Sequence, residues 1–339
     1  YLGIFTPELP RSIVDEIVPI YPEQRSDISY GRLASGDWAW FSSPTPGLSN
    51  KGKTIRGLIS PPQFSAKRGI YNTPFRVHLT TDEPDAVIRY TTDYSEPTIT
   101  NGKVYNESLE VRRTMVLRAA VYKEGMLPSR VETHTYVYNL GNSVTSLPML
   151  SLVTERSNLW GRTGIMETSP RNTTKRGIAW ERPVSMELIY PDTGETLHAN
   201  AGIRVQGGAY IRGRYNPNSG PPAGKYSFRL YFRGDYGLGR LRYPFFPDLQ
   251  VEDFNHIVLR AGMNDHTNPF IIDELVRRLA ADMGQISARG TFMNLYLNGK
   301  LQGYYNPTER IDSDFLNSWN GTDSDWDIVA QYGEVREGD

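Results

Sequence analysis

The sequence predicts a multidomain, β-rich protein, in which small all-β modules precede a domain that combines strands with a helix. The chain has 339 residues, which is more than one ordinary domain needs. Short runs of alternating apolar and polar residues recur along it, with turn residues between them. Convincing helical periodicity occurs in residues 270–283. Together these observations predict two or three domains, with the helix confined to the last.

Residues 1–50 are predicted to be the C-terminal part of a β domain. Residues 1–5 and 28–33 have the character of short strands, and residues 42–50 are rich in turn residues that mark a boundary. An intact domain of this length would be only marginally stable. We therefore expect the chain to be a fragment of a longer protein.

Residues 60–140 are predicted to form a second, all-β module of the sandwich type. Residues 75–81, 86–93, 114–125 and 130–138 alternate clearly between apolar and polar side chains. Turn residues separate these runs at intervals typical of a β-sandwich.

Residues 146–339 are predicted to form an α+β domain with a mostly antiparallel sheet. Strand patterns lie at 147–154, 182–190, 195–207, 225–232 and 256–262, and a hairpin at 291–310 turns on Asn298-Gly299. In the helix at 270–283, Leu275 and Leu279 fall on one apolar face, and Gly284 ends it. We expect this helix to lie on the sheet.

The composition excludes several classes of chemistry. The chain has no cysteine, which rules out thiolate catalysis, iron–sulfur clusters and disulfides. The formal net charge is −1, so the overall charge does not indicate a nucleic-acid partner. No apolar run reaches the length of about 18 residues that a membrane span needs. The spacing of the histidines suggests no metal site, and no G-x-S-x-G motif is present.

Residues 201–242 carry eight basic residues and one acid, Asp235. A kinase-like lobe covers phosphates with a glycine-bearing loop between two strands, the second of which has a lysine near its start. Backbone N–H groups of Gly207 and Gly208 could face phosphate oxygens, and Lys225 could reach them. The spacing fits neither G-x-G-x-x-G nor a P-loop, however. The alternative is a long solvated basic loop between two strands.

Two glutamates are candidate partners of this hairpin. Glu274 in the helix could pair with Lys225 and orient it, or it could form only a local i,i+4 pair with Arg278. Glu309 follows the last hairpin and could lie beside a bound base. Its alternative is a surface charge paired with Arg310 or with a nearby strand.

An acidic run near the end of the sequence resembles a calcium loop in part. Asp323, Asp325, Asp327 and Glu334 have the spacing of such ligands, but Ile328 stands where the sharp turn needs glycine. The run therefore favours a solvated acidic loop, and we assign no metal ligand.

Several motifs, taken in order, resemble known families. "KYSFRLYFRGDYG", "VLRAGMNDHT", "IIDELVRRLAADMG" and "LYLNGKLQGYYNPTER" resemble the spore-coat CotH kinase-like family in its bacterial secreted branch, over residues 146–339. Residues 63–139 resemble the C-terminal β module of chitobiase and β-hexosaminidase. Residues 1–50 resemble the end of a lamin-tail-like domain, which has an immunoglobulin-like fold.

The CotH resemblance implies an extracellular or cell-surface atypical protein kinase that uses ATP and a divalent metal such as Mg²⁺. Residues 146–339 would then be the N-terminal part of a kinase domain, its N-lobe. Lys225 would hold the phosphates, with Gly207, Gly208 and Arg212 near them. The family pattern has a second lysine where this chain has Tyr226, which weakens the match at this point.

The same resemblance places the catalytic and metal-binding aspartates in a later half of the family domain, which we expect after Asp339. In-line phosphoryl transfer needs both halves of the site. We therefore expect the parent protein to phosphorylate protein Ser or Thr residues, and this fragment alone to be inactive.

A second hypothesis is a cell-surface or carbohydrate-associated binding protein with a non-catalytic kinase-like scaffold. Accessory β modules favour it, and its partner would be a cell-surface protein or a glycan. Tyr90, Tyr94 and Tyr105 could offer a stacking surface for sugars, although ordinary packing within the sandwich also explains them.

Overall fold

The computed structural model describes residues 2–19, 22–25, 27–50, 52–138, 146–207, 225–247, 249–262, 271–330 and 333–337. These residues form several β-sheets, one of them a closed barrel, and a few helices. The predicted β-rich multidomain class is therefore confirmed.

The first region contains five short strands in two small sheets. They are β1 (Leu2–Phe5), β2 (Ile13–Ile17), β3 (Ser29–Arg32), β4 (Trp38–Phe41) and β5 (Thr54–Ile55). Strands β1 and β2 pair with each other, and β3, β4 and β5 form an antiparallel sheet in that order. Trp40 and Phe41 are its buried residues, so β4 anchors this sheet. Its assignment to a lamin-tail-like domain stays a prediction.

The second region, which we call the middle β module, contains nine strands. They are β6 (Gln63–Phe64), β7 (Gly69–Tyr71), β8 (Phe75–Val77), β9 (Leu79–Thr80), β10 (Val87–Thr91), β11 (Lys103–Val104), β12 (Leu109–Val111), β13 (Met115–Tyr122) and β14 (Glu132–Tyr138). The main sheet has the order β11-β10-β13-β14-β7, and only its β14–β7 pair is parallel. Strands β8 and β12 form one two-stranded sheet, and β6 and β9 form another.

The predicted strand at residues 75–81 is divided at His78. Its first part, β8, pairs with β12, whereas its second part, β9, pairs with β6. Val77 and Leu79 are both buried in the core of the module. The break thus lets one apolar run contribute to two small sheets.

In the third region, the barrel domain, the described residues form eleven strands and three α-helices. The strands are β15 (Met149–Val153), β16 (Arg182–Ile189), β17 (Thr196–Val205), β18 (Phe228–Tyr231), β19 (Leu241–Arg242), β20 (Asp253–Phe254), β21 (His256–Arg260), β22 (Met293–Leu297), β23 (Lys300–Glu309), β24 (Ile328–Val329) and β25 (Val335–Glu337). The helices are α1 (Arg156–Leu159), α2 (Ile272–Asp282) and α3 (Ser313–Asn320).

Seven of these strands close into a barrel in the order β15-β16-β17-β18-β21-β23-β22. Closure comes from a parallel pairing of β15 with β22, while the other pairs are antiparallel. Side chains alternate between the inside and the outside of a barrel. Tyr226, Phe228 and Leu230 lie in the apolar core, so Lys225 and Arg229 belong to the outer face.

The hairpin between β22 and β23 turns as the sequence predicts. Asn298 has a φ of 49° and Gly299 a φ of 70°. Two successive positive φ angles are the signature of a type I′ turn, which asparagine and glycine tolerate best.

Helix α2 forms close to its predicted bounds, but its apolar face does not enter the core. Leu275, Val276 and Leu279 are 49%, 58% and 51% exposed, and Glu274 is the buried residue of the helix. Periodicity locates an apolar stripe without showing which neighbour covers it. The helix instead meets the sheet through polar contacts, in which Asn306 of β23 donates to Glu274 at 3.2 Å. Within the described part of the chain, no helix has the length and apolarity needed to cross a membrane.

The middle β module and the barrel domain meet through buried contacts. Val137 of β14 packs with Met149, Ile189 and Tyr296 of the barrel domain. Beside this apolar cluster, the backbone N–H of Thr135 donates to the carboxylate of Glu187 at 2.9 Å.

Candidate functional site

The basic segment identified in the sequence lies between β17 and β18 in the chain. The register pairs Val205 with Phe228, and the backbone N–H of Gln206 donates to the carbonyl of Ser227 at 2.8 Å. Gly207 and Lys225 therefore lie at the two described ends of the intervening loop. The predicted site residues Gly208 and Arg212 lie outside the described residues.

Lys225 is half-buried at the base of this loop. Its ammonium donates to the carbonyl oxygen of Tyr304 at 2.9 Å and lies 4.4 Å from the ring centroid of Tyr305. Burial lowers the pKa of Lys225 to about 8. A cation in such a place is poorly solvated, which favours binding of an anion.

Glu274 makes the local ion pairs that the helix sequence allows. Its carboxylate lies 2.8 Å from Nε of Arg278 and 2.7 Å from the guanidinium of Arg277. It also accepts from the side chain of Asn306 at 3.2 Å and from the backbone of Gly290 at 3.3 Å. These four contacts saturate a buried carboxylate. Pairing of Glu274 with Lys225 stays a prediction.

A strand–helix ion pair does exist, but between residues that the sequence analysis missed. Arg260 at the end of β21 lies 3.1 Å from Asp273 in the first turn of α2. Asp273 also accepts from Arg277 at 3.0 Å. The sequence did show a basic residue, Arg260, at the end of the strand that precedes the helix. Spacing along the sequence cannot show which acidic residue of the helix faces it.

Glu309 ends β23 and is buried, not a surface charge. Its carboxylate accepts from the backbone N–H of Arg289 at 2.8 Å and from the indole of Trp319 at 3.1 Å. Burial raises the pKa of Glu309 to about 7, against the effect of these two donors. The carboxyl therefore changes its charge near neutral pH.

Gly290 is a site where the packing of these groups can be tested. A Cβ placed there would overlap the Glu274 carboxylate and would lie 2.8 Å from the carbonyl oxygen of Pro307. We expect Gly290→Ala to lower the free energy of unfolding by about 1–3 kcal/mol through overpacking. Urea titration measures it.

Gly234→Ala is the matched control for that variant. Nothing lies within 4 Å of a Cβ built at Gly234, and its φ is not in the left-handed region. Equal loss of stability in the two variants would contradict the steric explanation.

The described residues contain no group of three or more histidine, aspartate or glutamate side chains that could hold a metal ion. In the acidic run, Ile328 and Val329 form strand β24, which ends the resemblance to a calcium loop. The carboxylates of the described residues thus do not fit a divalent metal.

The fold and the site define a β-rich chain whose barrel domain carries a half-buried lysine, Lys225, shortly before β18. Residues 211–335 match the family model of the CotH kinase protein. Residues 66–133 match that of the chitobiase/beta-hexosaminidase C-terminal domain. Both resemblances inferred from the motifs are thereby confirmed, and the first supports a function related to CotH kinases. No curated protein matches the chain.

Proposed function

We propose that the barrel domain takes part in ATP-dependent phosphoryl transfer to Ser or Thr residues of a protein substrate. The observation that carries the proposal is the half-buried Lys225 ammonium at the base of the glycine-bearing loop, within a region similar to CotH kinases. ATP use is a general property of that family.

In this proposal, each predicted residue has a role in binding the nucleotide. Lys225 neutralises phosphate oxygens, and backbone N–H groups of Gly207 and Gly208 donate to them, with Arg212 nearby. ATP supplies the phosphoryl group.

The two glutamates complete this proposed arrangement. Glu309 lies beside the base, and its pKa of about 7 makes it either donor or acceptor near neutral pH. Glu274 orients Lys225 once it is released from the arginines that now hold it.

We place the intact bacterial protein outside the cytoplasm. Domains of the CotH and chitobiase C-terminal types occur often in extracellular or surface proteins, which supports this localisation. The partner would be a secreted or surface protein that accepts the phosphoryl group.

Lys225→Ala is expected to remove about half or more of the thermal stabilisation that ATP and Mg²⁺ give to the protein. A ligand at 100 times its Kd stabilises the folded state by about 2.7 kcal/mol. Loss of a charge-assisted contact raises Kd about tenfold or more. Differential scanning fluorimetry measures the shift, and transfer of radiolabel from ATP to protein measures the activity.

Lys300→Ala is the matched control, because Lys300 is an exposed lysine on the same sheet. It should leave both readings unchanged. The proposal is wrong if ATP stabilises neither this chain nor a longer one, or if Lys225→Ala retains full stabilisation and activity.

The second candidate is a binding scaffold with no phosphoryl transfer. It is favoured by the Glu274 carboxylate, which Arg277 and Arg278 already neutralise. Tyr90 and Tyr105 give it no support, because their rings meet edge to face at 6.4 Å against the core of the middle β module. Retention of the chain on cell-wall polysaccharides, without ATP binding, would support the scaffold.

A further inference from the structure

A cleft of about 540 Å³ opens on the outer face of the barrel beside Gly207. Five arginines line it, and no acidic residue is among the described residues that do so. We call it the arginine cleft; its basic residues are Arg176, Arg204, Arg229, Arg310 and Arg336.

The architecture of the barrel forces two of these arginines together. Strands β17 and β18 place Arg204 directly opposite Arg229. Both side chains point outward, because Ile203 and Phe228 beside them are buried in the core. Like charges on directly opposed residues destabilise a sheet.

The surroundings do not neutralise this charge. Arg229 donates to the side-chain oxygen of Gln206 at 3.0 Å, and Arg204 donates to the carbonyl of Gly177 at 3.1 Å, so both acceptors are uncharged. Within the described part of the chain, neither arginine makes a salt bridge. Both guanidinium groups lie over the ring of Tyr231, at 5.0 and 5.6 Å.

Arg310 adds a third charge to the same place. Its Nε is buried without a hydrogen-bond partner among the described residues, and it too makes no salt bridge there. Burial, together with the charges of Arg310 and Arg204, lowers the pKa of Arg229 to about 10, although Tyr231 and Asp312 oppose the shift. Asp312 is itself engaged, since it accepts from the backbone of Phe315 and contacts His256.

Uncompensated charges of one sign in a half-buried cleft are costly, and a bound anion is the simplest compensation. The planar guanidinium fork matches phosphate oxygens in a bidentate manner. Several arginines carry more positive charge than one carboxylate can neutralise. Three apolar residues also line the cleft: Ile311, Ile328 and Val329.

We propose that the arginine cleft binds a chain of phosphate groups through Arg204, Arg229 and Arg310, with any apolar part of the ligand against Ile311 and Ile328. The phosphates are those of a nucleoside triphosphate or of a free oligophosphate. This inference deepens the proposed function, because it assigns phosphate binding to arginines that the sequence analysis did not single out.

Calorimetric titration of the chain with sodium tripolyphosphate, without added metal, tests the inference directly. Arg229→Gln and Arg310→Gln should each weaken binding about tenfold or more. Arg242→Gln, an exposed arginine outside the cleft, should bind like the wild type.

The stability of the ligand-free variants separates a binding role from a structural one. Removal of a charge that repels its neighbours should leave Arg229→Gln at least as stable as the wild type. A clear loss of stability, or unchanged tripolyphosphate affinity in both arginine variants, overturns the inference, as does absence of binding to the wild type at millimolar concentration.

The two sources of phosphate are separated by competition. If ATP displaces bound tripolyphosphate at a lower concentration than unlabelled tripolyphosphate does, the ligand is a nucleotide. If the two compete at equal concentrations, the ligand is a free oligophosphate. Both results support the cleft. If tripolyphosphate binds but phosphoryl transfer fails, only the proposed function is wrong. If transfer occurs but tripolyphosphate binding does not depend on the arginines, only this inference is wrong.

Discussion

Arg68→Met is expected to lower the free energy of unfolding by about 3–5 kcal/mol, because it leaves buried carboxylates without their cation. Arg68 is 7% exposed and contacts Glu132, and its Nε lies 3.4 Å from Glu187. Glu187 is fully buried in the barrel domain, at the junction with the middle β module. The arginine therefore balances charge where the two modules meet.

The surroundings of these carboxylates explain why the loss should be large. Glu187 accepts from the backbone of Thr135 at 2.9 Å and also bonds to the hydroxyl of that residue. Although burial opposes it, contacts with His134 and His198 hold the pKa of Glu132 well below its usual range. Glu132 is thus charged at neutral pH.

Urea unfolding of the variant, followed by tryptophan fluorescence, measures the effect. Arg112→Met is the control, since Arg112 pairs with Glu110 on the surface at 71% side-chain exposure and should contribute little. The double variant Arg68→Met/Glu187→Gln should recover part of the loss, because it removes the buried charge with its partner. A change below about 1 kcal/mol in Arg68→Met would contradict this account of the junction.

Glu309→Gln is expected to remove a pH dependence of stability worth about 2.5 kcal/mol between pH 5 and pH 8. Burial raises the pKa of Glu309 to about 7 from its usual value of 4.5. The stability contributed by its protonated form is therefore full below about pH 4.5 and is lost as the pH rises through 7. Glutamine carries no such charge at any pH.

The measurement compares the unfolding free energies of wild type and variant at pH 5 and pH 8. Histidines and other groups titrate in both proteins, so the difference between the two changes isolates Glu309. Glu124→Gln, at an exposed position, should behave like the wild type. Parallel changes in wild type and Glu309→Gln would show that the carboxyl titrates at an ordinary pKa.

Much of the fold could be predicted from local sequence. Alternation located the strands that became β10, β13 and β16, and the Asn298-Gly299 pair identified a type I′ hairpin. Turn chemistry and side-chain periodicity act over a few residues, so they can be read without knowing the neighbours.

Closure of the barrel could not be predicted in this way. It depends on the parallel pairing of β15 with β22, which are far apart in the chain. The short helix α3, with Asp312 as its N-cap, and the small strands β19 and β20 were also missed. Such elements are too short to carry a clear period.

The candidate site divides in the same manner. Residue type and motif order pointed to Lys225 and its loop, and the helix spacing correctly offered the Glu274–Arg278 pair as an alternative. Two further properties of the site came from its packing. Burial made Glu309 a group that titrates near pH 7. The register of β17 and β18 placed Arg204 directly opposite Arg229. Desolvation and cross-strand register are properties of packed neighbours, so only the tertiary structure could determine them.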